Sequence, residues 1–327
     1  MNNNFESISQ YLNFVEDKFD ECFTDKKYIK KEPVLITSQI DKSVDFVGSK
    51  ISPLKHYLLE NNIPNEGVAL IQNCMKLRAL KYLKDYSSQT FGSCYRGMGT
   101  ITKYDLEKIV SDTFDYLLND KYLGMNPNDL CIRINSSDDD LINSIKEVDC
   151  RVKREFDTEP EENYKHIYGL DNKQITGRNF NIAVRKGSSN IFFDCAAIIV
   201  MESPYEKLAI DMGIGNSSLA MCYYNTDNTV ASSRMGDVVK IDSVEMMKFA
   251  DSMIAVSTLL YENITEHPSK HFRKKFRQYL QALRFWREEL GITDENILSY
   301  MNRYLNLEYD CENFITEKKY NKVLNYK

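Results

Sequence analysis

The chain has 327 residues, 43% of them hydrophobic and 28% charged, which is ample apolar material for one large core or two domains and unlike a disordered protein. Its 42 basic and 48 acidic side chains leave a formal net charge of −6, which argues against a general nucleic-acid coat and confines any basic interface to a local patch. Eight cysteines lie far apart without a CxxC pair, no basic-then-apolar leader opens the chain, and no stretch approaches the roughly 18 apolar residues of a membrane span; the expectation is a soluble protein of the reducing cytoplasm with no membrane partner.

In chain order, Phe5, Ile8, Leu12, Val15, Phe19 and Phe23 recur at helical spacing and predict an amphipathic helix over 4–24. A Lys-rich turn follows, then extended segments over 34–48, clearest at Val34-Leu35-Ile36-Thr37, and a short helix over 53–59. Val68-Ala69-Leu70-Ile71 and Gly92-Ser93-Cys94-Tyr95 read as strands around an irregular connection. Thr102-Lys103-Tyr104-Asp105 has capping-box-like spacing and opens a helix to about residue 119, with Leu106, Ile109, Val110, Phe114 and Leu117 inward.

Cys131-Ile132-Arg133-Ile134 alternates as a strand and ends in the acidic run 136–140, read as a solvated helix start rather than a metal site. Residues 150–178 are polar, the candidate mobile loop or insertion. Strands are expected over 181–185 and 191–201, the second buried on both faces or turning helical midway, with Gly187-Ser188-Ser189 as the turn and a further extended piece over 237–241. Beyond 245 the pattern is helical: Phe249, Met253, Val256 and Leu260 share one face, and Phe272, Phe276, Leu280, Leu283 and Trp286 the next. The tail from Glu317 reads as exposed and frayed. The division expected is a core over 1–245 and a helical domain over 246–327.

The most distinctive stretch is Asp211-Met-Gly-Ile-Gly-Asn-Ser-Ser, where Gly213 and Gly215 follow a carboxylate that could hold a ligand amine and let a backbone approach it closely. The alternative is a turn cap with glycines that serve packing alone. Asp194 is balanced between a pocket role and a structural hydrogen bond. His267 and His271 stand four apart, but Pro268 and the lack of a third ligand favour a surface role.

Several stretches resemble, in colinear order over about residues 5–285, the catalytic core of alanyl-tRNA synthetases, a class II aminoacyl-tRNA synthetase family. Ser43-Val-Asp-Phe-Val-Gly-Ser-Lys-Ile-Ser-Pro-Leu-Lys-His-Tyr-Leu-Leu59 resembles the family's first signature region, and Gln72-Asn-Cys-Met-Lys76 its Ser-Gln-Lys-Cys-Ile-Arg segment. Thr90-Phe91 and the helix near Leu106 fit its motif 2 and the helix behind it. Gly187-Ser-Ser-Asn-Ile-Phe-Phe-Asp194 looks like its Pro-Cys-Thr-Glu-Ile-Phe-Tyr-Asp, and Asp211-Met-Gly-Ile-Gly like its Asp-Thr-Gly-Met-Gly at motif 3.

The resemblance implies an α+β fold, a class II synthetase-like antiparallel sheet flanked by helices with a C-terminal helical region. It implies a small amino acid or aminoacyl-adenylate bound at Asp211, Gly213, Gly215 and Asp194, and ATP with magnesium as cofactor. It also implies an acceptor, tRNA or a carrier, met by the basic helix carrying Lys270, Arg273, Lys274 and Arg277; a solvated amphipathic face is the other reading of that helix.

The charged clamp departs from the family. The motif 2 arginine falls near Ser87 or Ser88, its glutamate partner near Ser93, and the motif 3 arginine at Ser218. One such contact is worth roughly 2.7–4 kcal/mol of transition-state stabilisation, so losing two costs more than about four decades in rate unless replaced. The candidate replacements for nucleotide contact are Lys76, Arg78, Arg96 and Arg185. Two readings follow: activation of a small amino acid, or its transfer to an acceptor other than standard tRNA; or a catalytically degenerate paralogue acting as amino-acid sensor, scaffold or RNA-binding module.

Overall fold

A computed structural model describes residues 5–167 and 175–324. In chain order it contains α1 (Ile8–Asp25), β1 (Ile29–Lys30), α2 (Lys55–Leu59), β2 (Val68–Met75), β3 (Cys94–Thr102), α3 (Leu106–Leu118), β4 (Leu130–Ile134), α4 (Asp139–Ser144), β5 (Lys153–Phe156), β6 (Lys165–Ile167) and β7 (Thr176–Arg185). Then follow β8 (Phe192–Glu202), β9 (Lys207–Gly215), α5 (Asn216–Tyr224), α6 (Val244–Tyr261), α7 (Lys270–Leu290), α8 (Asp294–Tyr309) and α9 (Glu317–Leu324). Among the described residues the strands form one sheet ordered β1-β2-β3-β9-β8-β7-β4-β5, with β6 added to β7. Only β1–β2 and β4–β5 pair in parallel. The expected architecture, a mainly antiparallel sheet flanked by helices, is the one observed.

One face of the sheet packs on α1, α3 and α5, and Val15, Phe19, Phe114, Ile132, Ile198 and Met212 share that core. On the other side the helices from α6 onward enclose a second core around Phe249, Phe276 and Trp286, joined by Ile36, Phe46, Met75 and Leu83. A smaller cluster around Leu54, Leu58 and Leu70 roofs the β2 end of the sheet. Two helix starts carry side-chain caps: Ser7, inside the helix expected over 4–24, accepts from Gln10 N, and Asp105, the last residue of the capping stretch 102–105, accepts from Lys108 N.

Four expectations are corrected. Residues 34–48 contain no strand; the Ile36 and Thr37 amides donate to the Glu262 carboxylate at 2.7 and 2.9 Å, so α6, not a neighbouring strand, satisfies them. The stretch 150–178 is not irregular throughout: its described residues include β5, β6 and the start of β7, while 168–174 of that reading lie outside the described residues. The strand expected over 191–201 is observed as β8 without a helical turn midway. Residues 237–241 leave a 3₁₀ turn (Arg234–Asp237) without becoming extended pairs. The tail forms α9, anchored by buried Tyr320 and Val323 and by Tyr320 Oη donating to Asp294 at 2.8 Å. The acidic run does start a helix, but Asp138 and Asp140 are bound by Arg178, and Asp140 also by Lys207, rather than left to water.

Candidate functional site

Strand register brings Gly97 opposite Gly215 and Gly99 opposite Gly213 across β3 and β9, while Asp211 faces Ile199 on β8 and Ile101 on β3. Above this face lies a cavity of about 510 Å³ that Asp211, Gly213, Gly215 and Asp194 all line, together with Lys50, Lys76, Arg78 and Ser218. The sequence reading therefore converges on one place for its four amino-acid candidates. A register shift between Ile182 and Ala183 sets Asp194 opposite Ala183, two residues from Asn181, so that both reach the cavity.

Asp211 is not open to the cavity as a bare carboxylate. Lys50 Nζ donates to Asp211 Oδ1 and to the Met212 carbonyl, and the two side chains are only 9% and 4% exposed. Burial pushes the Lys50 amine well below its ordinary range, and the Asp211 carboxylate is the partner the amine donates to. The lysine stem lies in a trough cut by two glycines. A methyl group at Gly99 would meet Lys50 Cδ and Cε at 2.6 Å, and one at Gly213 would meet Cε at 2.7 Å. Part of what looks like ligand space at these glycines is thus filled from within. Lys50 and Gly99 were missed from sequence because a lone lysine reads as surface. The findable signal was Gly97-Met98-Gly99, the same spacing as Gly213-Ile214-Gly215 and set in a strand.

Asp194 accepts from Arg133 Nη1 at 2.8 Å and from Asn181 Nδ2 at 3.1 Å; burial pushes it above the usual carboxylate range although Arg133 opposes this. Among the described residues no three His, Cys, Asp or Glu side chains gather as a metal site, and both carboxylates on the cavity wall already hold cations, so the donor set here does not fit a protein-held magnesium ion.

Of the four cations read as nucleotide contacts, two face the cavity and two do not. Lys76 Nζ lies 4.3 Å from the Tyr95 ring centre, and Arg78 Cζ 4.4 Å from that of Phe91, at the root of the β2–β3 connection. Among the described residues neither pairs with a carboxylate. Burial, and secondarily Arg78, pull the Lys76 amine down to about 8. Arg96 instead points into a buried cluster with Glu16, Glu308 and Asn73. Arg185 holds Asp129 at 2.9 Å at the far end of β7. On α7, Lys270 and Lys274 are exposed, Arg277 is half-buried, and Arg273 caps the carbonyls of His267 and Pro268. His271 pairs with Asp45 rather than with His267.

The serines at the expected clamp positions have other employment. Ser87 lies exposed and bonded to Asp85, and Ser218 lines the cavity. Ser93 is fully buried, its N and Oγ donating to Asp251 of α6 at 2.6 and 2.8 Å. Burial raises Asp251 to about 6 despite those bonds. Because this exceeds the unfolded value, the fold favours the protonated acid; that contribution is complete below about pH 4 and is lost as pH rises through about 6. Asp251→Asn, neutral throughout, is expected to gain on wild type between pH 4 and 7 by on the order of 2 kcal/mol in urea unfolding. Parallel stability curves for the two proteins would refute this.

No protein-family model matches the chain, and no curated protein matches it. Solved structures similar to it include the apo histidyl-tRNA synthetase of S. aureus, at 12% identity over 71% of this chain and 68% of that one, with a TM-score of 0.41. The aspartyl-tRNA synthetase of Entamoeba histolytica is 11% identical over 69% of this chain and 57% of its own, TM-score 0.39. An aspartyl-tRNA synthetase-like structure from Leishmania major Friedlin is 11% identical over 69% and 64%, TM-score 0.39. The chain thus spans less than two thirds of the two aspartyl structures. These likenesses concern the fold.

Proposed function

We propose that the cavity binds a small acid of the amino-acid or acyl-adenylate type by its anionic end, through Lys76 and Arg78, and that the protein holds such a ligand rather than driving ATP-dependent ligation. The observation that carries this is the pair of cations on the cavity wall without a carboxylate partner among the described residues, beside clamp positions filled by serine. The ligand class rests on the alanyl-tRNA synthetase resemblance of the motifs lining the same cavity. A cation held against aromatic faces and without a counter-ion is placed to receive carboxylate or phosphate oxygens.

Titration calorimetry with nucleotides, amino acids and non-hydrolysable acyl-adenylate analogues tests this reading. Arg78→Met and Lys76→Met are each expected to weaken anion binding roughly 10- to 100-fold, the scale of a charge-assisted hydrogen bond. Lys76 also gives the binding a pH dependence: affinity holds below pH 8 and falls above it as the free ammonium deprotonates. Affinity that is flat from pH 7 to 9.5 would remove Lys76 from the site.

A second reading, activation of the acid with ATP and magnesium and transfer to an acceptor other than standard tRNA, is favoured by one feature. A groove lined by Leu77, Arg78, Leu80, Lys81, Lys275 and Gln278 shares Arg78 with the cavity and leads to α7, a path along which an acidic acceptor could approach. Lys270, Arg273, Lys274 and Arg277 would extend that surface to RNA. Pyrophosphate exchange across the amino acids decides between the two: exchange with any of them establishes activation, and none with all of them leaves the holding role.

A further inference from the structure

Each carboxylate on the cavity wall is already in contact with one of the chain's own cations. Among the described lining residues these carboxylates are Asp194 and Asp211. Asp194 is held by Asn181 and by Arg133, which it shares with Glu155 and Glu159, whereas Asp211 is held by Lys50. The Lys50 contact is built in rather than one rotamer among many, because its stem is confined in the trough that Gly99 and Gly213 leave between β3 and β9. At Asp211 an entering ammonium would lose hydration and find the carboxylate already engaged, and it would stand near Lys50, Lys76 and Arg78. An acid without an amine meets the same cations with the favourable sign.

We infer that the cavity selects acids lacking a free α-amino group, acyl rather than aminoacyl anions, and that Lys50 is the specificity-determining residue because it occupies the amine seat on Asp211. This rests on the anion-binding reading above and narrows it. A simple carboxylic acid, an N-acylated amino acid or the corresponding acyl phosphate ester satisfies the requirement, since each presents an anion with no cationic nitrogen beside it.

The test is calorimetry on the full chain with a matched pair, propionylsulfamoyl-adenosine and alanylsulfamoyl-adenosine, which differ by the α-ammonium alone. Wild type is expected to bind the propionyl compound at least about tenfold more tightly, a difference of about 1.4 kcal/mol. Lys50→Met, which frees Asp211, is expected to abolish or reverse that preference. Should Lys50→Met fail to fold, the wild-type comparison still decides. Equal or tighter binding of the alanyl compound by wild type overturns the inference and leaves the anion-binding reading standing. Binding of neither compound overturns that reading and the inference with it.

Discussion

Arg234→Met is expected to lower the unfolding free energy by about 3–5 kcal/mol, the scale for removing one partner of a buried ion pair and leaving the other charge uncompensated. The guanidinium is 3% exposed and reaches Glu16 and Glu308 at 3.2 Å and Asn13 at 2.7 Å. Glu16 is shared with Arg96 and with Asn216 Nδ2 at 2.7 Å, and Glu308 is shared with Arg96. The cluster therefore ties α1, β3, the start of α5 and α8 to the turn that carries Arg234. Burial pushes Glu16 up, but Arg96 and Arg234 outweigh it and hold the acid below its ordinary range. A depressed acid stabilises the fold above its unfolded value and loses that contribution as pH falls, so the deficit of Arg234→Met should narrow below about pH 4. Urea unfolding at pH 7 and pH 3.5 measures both; an equal deficit at the two values would show that lost packing, not charge, accounts for the loss.

What was legible from sequence followed from periodicity and local chemistry. The helical stripe of Phe5 to Phe23, the capping stretch ending at Asp105 and the apolar strands β2 and β8 needed only neighbours in the chain to be recognised. The convergence of Asp211, Gly213, Gly215 and Asp194 was legible only through motif order, since no local pattern says which strands pair. The failures have a common cause in partners remote in sequence. Ile36 and Thr37 look like a strand, but their amides go to Glu262. The polar β5 sits at the sheet edge, where exposed residues suffice and no apolar alternation is required. Arg96 looks like a hairpin cation because neither Glu16 nor Glu308 is near it in the chain. Lys50 is hidden for the same reason: its burial is licensed by Asp211 and by glycines on two other strands.

Trp286→Ala should match that loss, at about 3–5 kcal/mol, and should act on the candidate site as well. The indole is fully buried in the core shared by α6, α7 and α8, and its Nε1 donates to the Leu83 carbonyl in the β2–β3 connection. Beside it, Lys248 of α6 binds the Tyr82 carbonyl and Asp85, and Tyr86 Oη donates to Glu289 at 3.1 Å. Residues 82–86 are thus fastened to the helices at three points, and the same connection carries Lys76 and Arg78 at its root and Phe91 at its return. Truncating the indole leaves a cavity in the core and an unpaired carbonyl in the connection, so the wall that bears the two cations loses its central fastening. Anion affinity is expected to fall together with stability. Trp286→Phe, which keeps most of the volume but not the N–H, should cost less stability while still loosening the connection. Hydrogen exchange over residues 77–91 reads this directly: faster exchange there in both variants, with α7 protected in Trp286→Phe, is the expected pattern. Unchanged exchange over 77–91 in Trp286→Phe would mean that the Leu83 bond does not hold the wall.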